Sequence, residues 1–351
     1  MTKEETRHTK KKVCKIQNPV KNNKIVTSYK FYFLGTILAT SALFGMFLWI
    51  TIPLFTTQPQ QKTIYVNASA KTNVFFPDGS SERPFLTISK AIQKTQYSQE
   101  FSKIFISSGV YTEEIKMPEN TALYGVGDIV IQNPKQNSKT LTLNNNNLIY
   151  NIHIHGGKDA IFINPNTKTI IINSSATNAT QYGIHTQKSE PDRTKGNTTI
   201  INSRIAKNAL QGIYAQKGLL SISNSIIEEN GEEGIDLHHS METTVKNSTM
   251  RNNGESGLET EIQENIVTLI NNMFEGNKKN GVNIQTGENT GSIIMIDNTI
   301  ANNKKYGLRC AVHDPKPDDA PRPYFPYVTS FSGKNIFFEN EGGNIDPECE
   351  G

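Results

Sequence analysis

The sequence predicts an all-β fold in which short parallel strands coil into a solenoid. Three observations carry that reading. A glycine followed by an alternating tail recurs six times, as Gly183-Ile184-His185-Thr186, Gly212-Ile213-Tyr214-Ala215, Gly234-Ile235-Asp236-Leu237, Gly257-Leu258-Glu259-Thr260, Gly281-Val282-Asn283-Ile284 and Gly307-Leu308-Arg309-Cys310. Ten residues before each glycine stands Asn173, Asn202, Asn224, Asn247, Asn271 or Asp297. The interval from each glycine to the next of these residues is elastic, at 19, 12, 13, 14 and 16 residues. A constant half and an elastic half repeating every 22 to 29 residues describe one turn of a solenoid.

The period within each unit is 2 rather than 3.6, and β-branched residues dominate, which excludes helical repeats. Alternation then defines four apolar columns. Two residues before the Asn position stand Ile171, Ile200, Ile222, Val245, Leu269 and Met295, and three after it Ala176, Ile205, Ile227, Met250, Phe274 and Ile300. The residues one and three after each glycine complete the set, ending at Leu308 and Cys310. A single coil buries nothing, whereas coils stacked about 4.8 Å apart bury a continuous core. The Asn column suits turns in left-handed geometry, with amides bonding up and down the stack. A second column, Asn208, Asn230, Asn253, Asn277 and Asn303, is expected to mark another corner in the same way, and each glycine to ease the turn into its strand. Both Asn columns are read as structural.

Ahead of the repeats the chain changes character. Residues 1–30 hold nine Lys/Arg against two acids, a net +7, in a chain of +3, so the remainder carries −4. Residues 31–55 run without a charge, long enough to cross a bilayer as one transmembrane helix. The basic segment then belongs on the cytoplasmic side, with 56–63 a linker and 64–351 an extracytoplasmic domain. The apolar run is too long for a cleaved signal peptide and no small-x-small site follows it. The basic excess is thus topological, and no nucleic-acid partner is expected. Three cysteines are too few for a disulfide framework. Cys310 falls in an apolar column and is expected to pack as a small hydrophobe, a bridge to Cys349 being the less favoured alternative.

The repeats, with the opening Ile64-Tyr65-Val66, Asp78 to Ile92 (DGSSERPFLTISKAI), Ile104-Phe105-Ile106 and Gly109-Val110-Tyr111, resemble the pectate-lyase and pectin-lyase-like superfamily over about 64–345. The resemblance implies a right-handed parallel β-helix whose first coil is capped by a short amphipathic helix, here at 87–96 with Ile88, Ala91 and Ile92 as its apolar face. It implies little about activity, because the superfamily includes lyases, hydrolases, esterases, epimerases and adhesins.

Candidate chemistry lies on the outward face of the strand after each glycine. Two positions on come His185, Tyr214, Asp236, Glu259, Asn283 and Arg309, and four on come Gln187, Gln216, His238, Glu261 and Gln285. Alternation points both columns to one side. Asp236, His238, Glu259 and Glu261 are expected to form a square of three carboxylates and an imidazole, the candidate catalytic group being Asp236, His238 and Glu259. Such carboxylates persist together if a cation bridges them, if one is protonated, or if water screens them. Calcium on Asp236, Glu259 and Glu261 is the candidate metal site. His185, Tyr214, Gln216, Glu261, Asn283 and Arg309 are the candidate saccharide contacts, with Tyr214 as a stacking platform. Loops at 188–197, 286–292 and 312–327 are expected to wall the groove. No enzyme family's site transfers whole: Arg309 is far along the stack for a lyase base, and the paired aspartates and Gly-His-Gly of galacturonan hydrolases and the Asp-Pro-His of uronan epimerases are absent. The expected function is binding, and as an enzyme lyase- or epimerase-like processing, of an acidic polysaccharide or envelope component. The alternative is a non-catalytic surface solenoid for protein interaction, adhesion or envelope scaffolding.

Overall fold

The computed structural model describes residues 62–70, 76–96, 100–133, 135–187, 196–262, 265–286, 291–312 and 328–349. Segment 31–55 and most of the expected wall loops, with residues 313–327, lie outside them. No helix among the described residues is long and apolar enough to cross a membrane.

Every coil contributes strands to three parallel sheets. The ladder sheet includes Lys168–Ile172, Asn197–Ile201, Ile266–Ile270 and Ser292–Ile296. The back sheet includes Ser175–Thr177, Arg204–Ala206, Ile226–Glu228, Thr249–Arg251 and Met273–Glu275. The post-glycine sheet includes Ile184–Thr186, Leu258–Ile262 and Val282–Thr286. Two long strands, Ile213–Ser223 and Ile235–Lys246, run from the post-glycine sheet into the ladder sheet. Pairing is parallel with homologous positions in register, as in Ile184↔Ile213 and Ile213↔Ile235. This is the expected right-handed parallel β-helix, and all four apolar columns are buried in one core.

The helix is Ile88–Thr95, one turn of chain after Pro84. Thr87 caps it by accepting from the Lys90 amide, and the Glu113 carboxylate accepts from the Ile88 and Ser89 amides at 2.9 and 2.8 Å. Ile88 and Ala91 are buried, and Ile92 is partly buried against the core.

The first corner is as expected and the second differs in detail. Asn173, Asn202, Asn224, Asn247, Asn271 and Asp297 do take left-handed φ of 49–55°. At the second corner, however, the left-handed residue is the one before the Asn column: Lys207, Glu229, Asn252, Gly276 and Asn302. The Asn column itself turns inward and forms a buried ladder, each side-chain nitrogen donating to the next coil's side-chain oxygen at 2.8–3.0 Å from Asn208 to Asn340. The repeat glycines serve this ladder. None of the six has positive φ. A Cβ on Gly234 would sit 2.8 Å from Asn253 Nδ2 and 2.6 Å from the Gly257 carbonyl oxygen, so it is space rather than φ that demands glycine.

Cys310 corrects the expectation of a free thiol. It is bonded to Cys349, with Cα atoms 5.1 Å apart and a sequence separation of 39. The final strand Gly343–Ile345 pairs beside Tyr306 and Leu308 and brings the short 3-10 turn Pro347–Cys349 over that column. This return of the tail is a tertiary event that the cysteine count alone does not report.

Candidate functional site

The register stacks Phe162, His185, Tyr214, Asp236, Glu259, Asn283 and Arg309 on successive rungs of the post-glycine sheet. A second polar column stands beside it. Backbone bonds place Asp159, Tyr182, Gln211, Glu233, Ser256 and Asn280, each one residue before the glycine position, one above another. Glu255 and Lys279 stand one residue further back in the same turn. The sequence reading does not single out Asp159, Tyr182, Gln211, Glu233, Glu255 or Lys279. The available signal was the run of Gln, Glu, Ser and Asn at a constant offset from glycines whose strands were already singled out.

The centre of the site is an acid network. Glu233, 4% exposed, accepts from Gln211 Nε2 at 3.1 Å and shares a hydrogen bond with Glu255. Glu255 in turn lies 2.6 Å from Lys279 Nζ. Burial first, then the bond to Glu255 and the charges of Glu259 and Asp236, push Glu233 up to about 9, so it is a protonated acid at neutral pH. Glu255 moves the opposite way, held below the usual carboxylate range by the proton that Glu233 offers and by Lys279, against burial. Glu233 and Glu255 thus coexist by sharing one proton.

Asp236 and Glu259 face each other one rung apart. Asp236, 6% exposed, is approached by His238 Nε2 at 3.0 Å and by Gln211 Nε2 at 3.4 Å. The Asp236 hydrogen bond raises the His238 pKa above its ordinary value, against burial. Burial raises Glu259, with the Asp236 charge adding to it and the hydrogen bond from Asn283 Nδ2, at 2.6 Å, opposing. Gln285 Nε2 donates to the other Glu259 oxygen at 2.5 Å.

Of the expected square, Asp236 and Glu259 share a rung, as register between the two strands runs from Ile235↔Leu258 to Leu237↔Thr260; beyond it Glu261 pairs with Gln285 in the next strand, and its charge acts on His238. Among the described residues no group of three or more His, Cys, Asp or Glu side chains is disposed to hold a metal ion, so Asp236, Glu259 and Glu261 do not assemble as a cation cage here. Tyr214 is also not an open platform. Its ring stacks on Tyr182 at 4.9 Å and 15°, with His185 against it at 5.4 Å and His238 at 5.2 Å. Its hydroxyl accepts from Gln216 Nε2 at 2.9 Å. His185 Nδ1 lies 3.1 Å from Asp159. Arg309 stands two rungs from Glu259 and faces Asp346 at 3.9 Å, apart from the acid network.

Besides Ser102 Oγ in the first coil and Thr260 Oγ1 facing the core, the buried polar atoms without a partner among the described residues gather on this face. Asp159 Oδ1, Gln211 Oε1 and Asn283 Oδ1 are buried and find no hydrogen-bond partner among the described residues. Their side chains are only 1%, 9% and 4% exposed. Buried polar atoms left unpaired are costly, and they mark places where a ligand completes the bonding. The described hollows of about 330 and 400 Å³ lie elsewhere, on the ladder sheet around Leu220 and Thr243 and on the back sheet around Ser175 and Arg204.

Fold and face together define a parallel β-helix with a polar, half-satisfied face on one sheet. The chain belongs to the family described as right handed beta helix region, whose model matches residues 127–290 and 192–315, together more than half of the chain. Among solved structures it is similar to the pectate lyase Pel9A, at 15% identity and a TM-score of 0.60 over 82% of this chain and 79% of that one. It is also similar to the A-module of the Azotobacter vinelandii mannuronan C-5 epimerase AlgE4, at 16% identity and a TM-score of 0.52 over 80% of this chain and 97% of that one. At these identities the likeness is one of fold. No curated protein matches the chain by sequence.

Proposed function

We propose that this chain is a polysaccharide-acting β-helix, anchored in a membrane by residues 31–55 with its coils on the extracytoplasmic side, and that the saccharide lies across the post-glycine face from Tyr214 to Asn283. The observation that carries the reading is the half-satisfied amides. Gln211 and Asn283 commit their nitrogens to carboxylates while their buried oxygens have no partner among the described residues. Sugar hydroxyls are donors suited to such oxygens. Glu233 carries a proton at neutral pH beside the carboxylates of Asp236 and Glu259, the pairing that acid–base work on a saccharide uses. The names of the two structural neighbours, a pectate lyase and a mannuronan epimerase, support a polysaccharide as the substrate. The +7 segment before the apolar run supports a cytoplasmic N-terminus.

The test offers the full-length protein a panel of anionic, neutral and cationic polysaccharides. Binding is followed calorimetrically, and turnover by new reducing ends and by absorbance of unsaturated products. Binding of at least one, weakened by Glu259→Gln and by Asn283→Ala, is expected. A panel without a binder, or a binder indifferent to both substitutions, overturns the reading. For topology, a C-terminal epitope should be reached from outside intact cells. A mature chain beginning near residue 58 would instead show a cleaved signal.

A further inference from the structure

We propose that the saccharide accepted by the post-glycine face is an amino glycan bearing free, positively charged amino groups rather than a uronan, an inference that rests on the polysaccharide reading above and names its substrate class. Two independent features of the face argue for it: the polarity of its open hydrogen-bonding atoms and the sign of its uncommitted charge.

Every buried atom that lacks a partner here is an acceptor: Asp159 Oδ1, Gln211 Oε1 and Asn283 Oδ1. The neighbouring donors are spent. Gln211 Nε2 lies on Glu233 and Asp236, Asn283 Nδ2 on Glu259, and Gln216 Nε2 on the Tyr214 hydroxyl. The amide orientations are enforced chemically, because a carboxylate such as Asp236 accepts and cannot donate. A ligand that completes these bonds therefore brings donors. A uronate carboxylate is acceptor-only, whereas an ammonium supplies three donors and no acceptor.

Charge points the same way. Basic groups beside the face lie on acids: His185 on Asp159, His238 on Asp236, Lys279 on Glu255 and Arg309 on Asp346, with the Lys305 charge also acting on Glu255. Lys139, at the lower end, sits over the Phe162 ring at 3.0 Å. Both Glu259 oxygens are bonded by neutral amides, those of Asn283 and Gln285, and Glu259 faces Asp236 one rung away. Burial raises the Glu259 pKa, with the Asn283 bond and the Lys279 charge opposing and the Asp236 charge adding to it. A uronate on this surface meets like charge at about one strand spacing. A hydroxyl alone would fill the acceptors and leave the charge unanswered. An ammonium seated between Asp236 and Glu259 answers both.

The experiment compares three length-matched oligosaccharides on the full-length protein by calorimetry: glucosamine oligomers, their N-acetylated forms and galacturonate oligomers. The glucosamine oligomer should bind at least about tenfold tighter than the acetylated one, and the margin should shrink with added salt. Glu259→Gln should remove most of that margin while leaving binding of the acetylated oligomer. Glu261→Gln, which removes a partly exposed charge from the same strand, should narrow it in the same direction, so the test survives if Glu259→Gln does not fold. Tightest binding of galacturonate, or equal binding of the amine and its acetylated form, overturns this inference and leaves the polysaccharide reading standing. If none of the three binds, nor any other polysaccharide of the wider panel, both fall.

Discussion

The buried Asn ladder and the post-glycine face are polar stacks in the same solenoid, built on the same rungs, yet they stand in opposite states. In the ladder, Asn253 Nδ2 donates to Asn277 Oδ1 at 3.0 Å and to the Ile227 carbonyl at 3.3 Å. Its own Oδ1 accepts from both the backbone amide and the side chain of Asn230. Nothing is left over, and the ladder closes on itself from coil to coil. On the face, Asn283 occupies a rung of the same solenoid and is nearly as buried, yet it makes one side-chain bond and leaves its oxygen open. A polar group that is fully satisfied internally holds the fold together. One that is buried and half satisfied awaits something from outside.

That contrast can be broken by experiment. The largest effect is expected at the ladder: Asn253→Ala deletes a donor and an acceptor that serve three neighbours, and should cost about 3 kcal/mol in urea unfolding of the full-length protein. A cost near zero would mean that the ladder is decoration and the contrast false. Next comes Glu259→Gln, which should weaken binding of the preferred saccharide by about tenfold or more while leaving the unfolding midpoint near its original value. A large loss of stability without a change in affinity would make this face structural as well.

Third is the pH dependence. The folded chain keeps a proton on Glu233 up to about 9, whereas the unfolded chain releases it near 4.5. Between those values the native state binds more protons, so this group makes stability fall as pH rises through the window. His238, raised by Asp236, adds a loss in the same direction as pH rises through its own shifted value. Glu255, lowered by Glu233 and Lys279, works oppositely and contributes stability that is lost only as pH falls through its depressed value. Melting temperatures across this range should therefore decline toward alkaline pH, and Glu233→Gln should flatten much of the decline. An unchanged slope would show that the proton is not held there. The smallest effect is expected from Asn283→Ala, under about 1 kcal/mol in stability, because only one bond is lost and an unpaired oxygen leaves with it.

Most of the fold was legible because its causes are local and periodic. Ile235, Leu237 and Leu258 alternate with polar residues, so burial and facing followed from the pleat alone. The left-handed Asn173 series followed from the conformational tolerance of asparagine. On the face, the sequence by itself determined which side chains share a side and which rungs they occupy, so Asp236 and Glu259 were brought together correctly. Only the tertiary structure decided how those side chains spend their bonding. Glu233 reaches Glu255 across a turn, Tyr182 covers Tyr214, and His238 bonds to Asp236 of its own strand. The tail folds back to bond Cys349 to Cys310. Alternation sets the direction in which a side chain leaves the backbone. Its final partner depends on rotamer, on burial, and on the exchange of a proton between neighbours from different coils, and none of these repeats with the period of the chain.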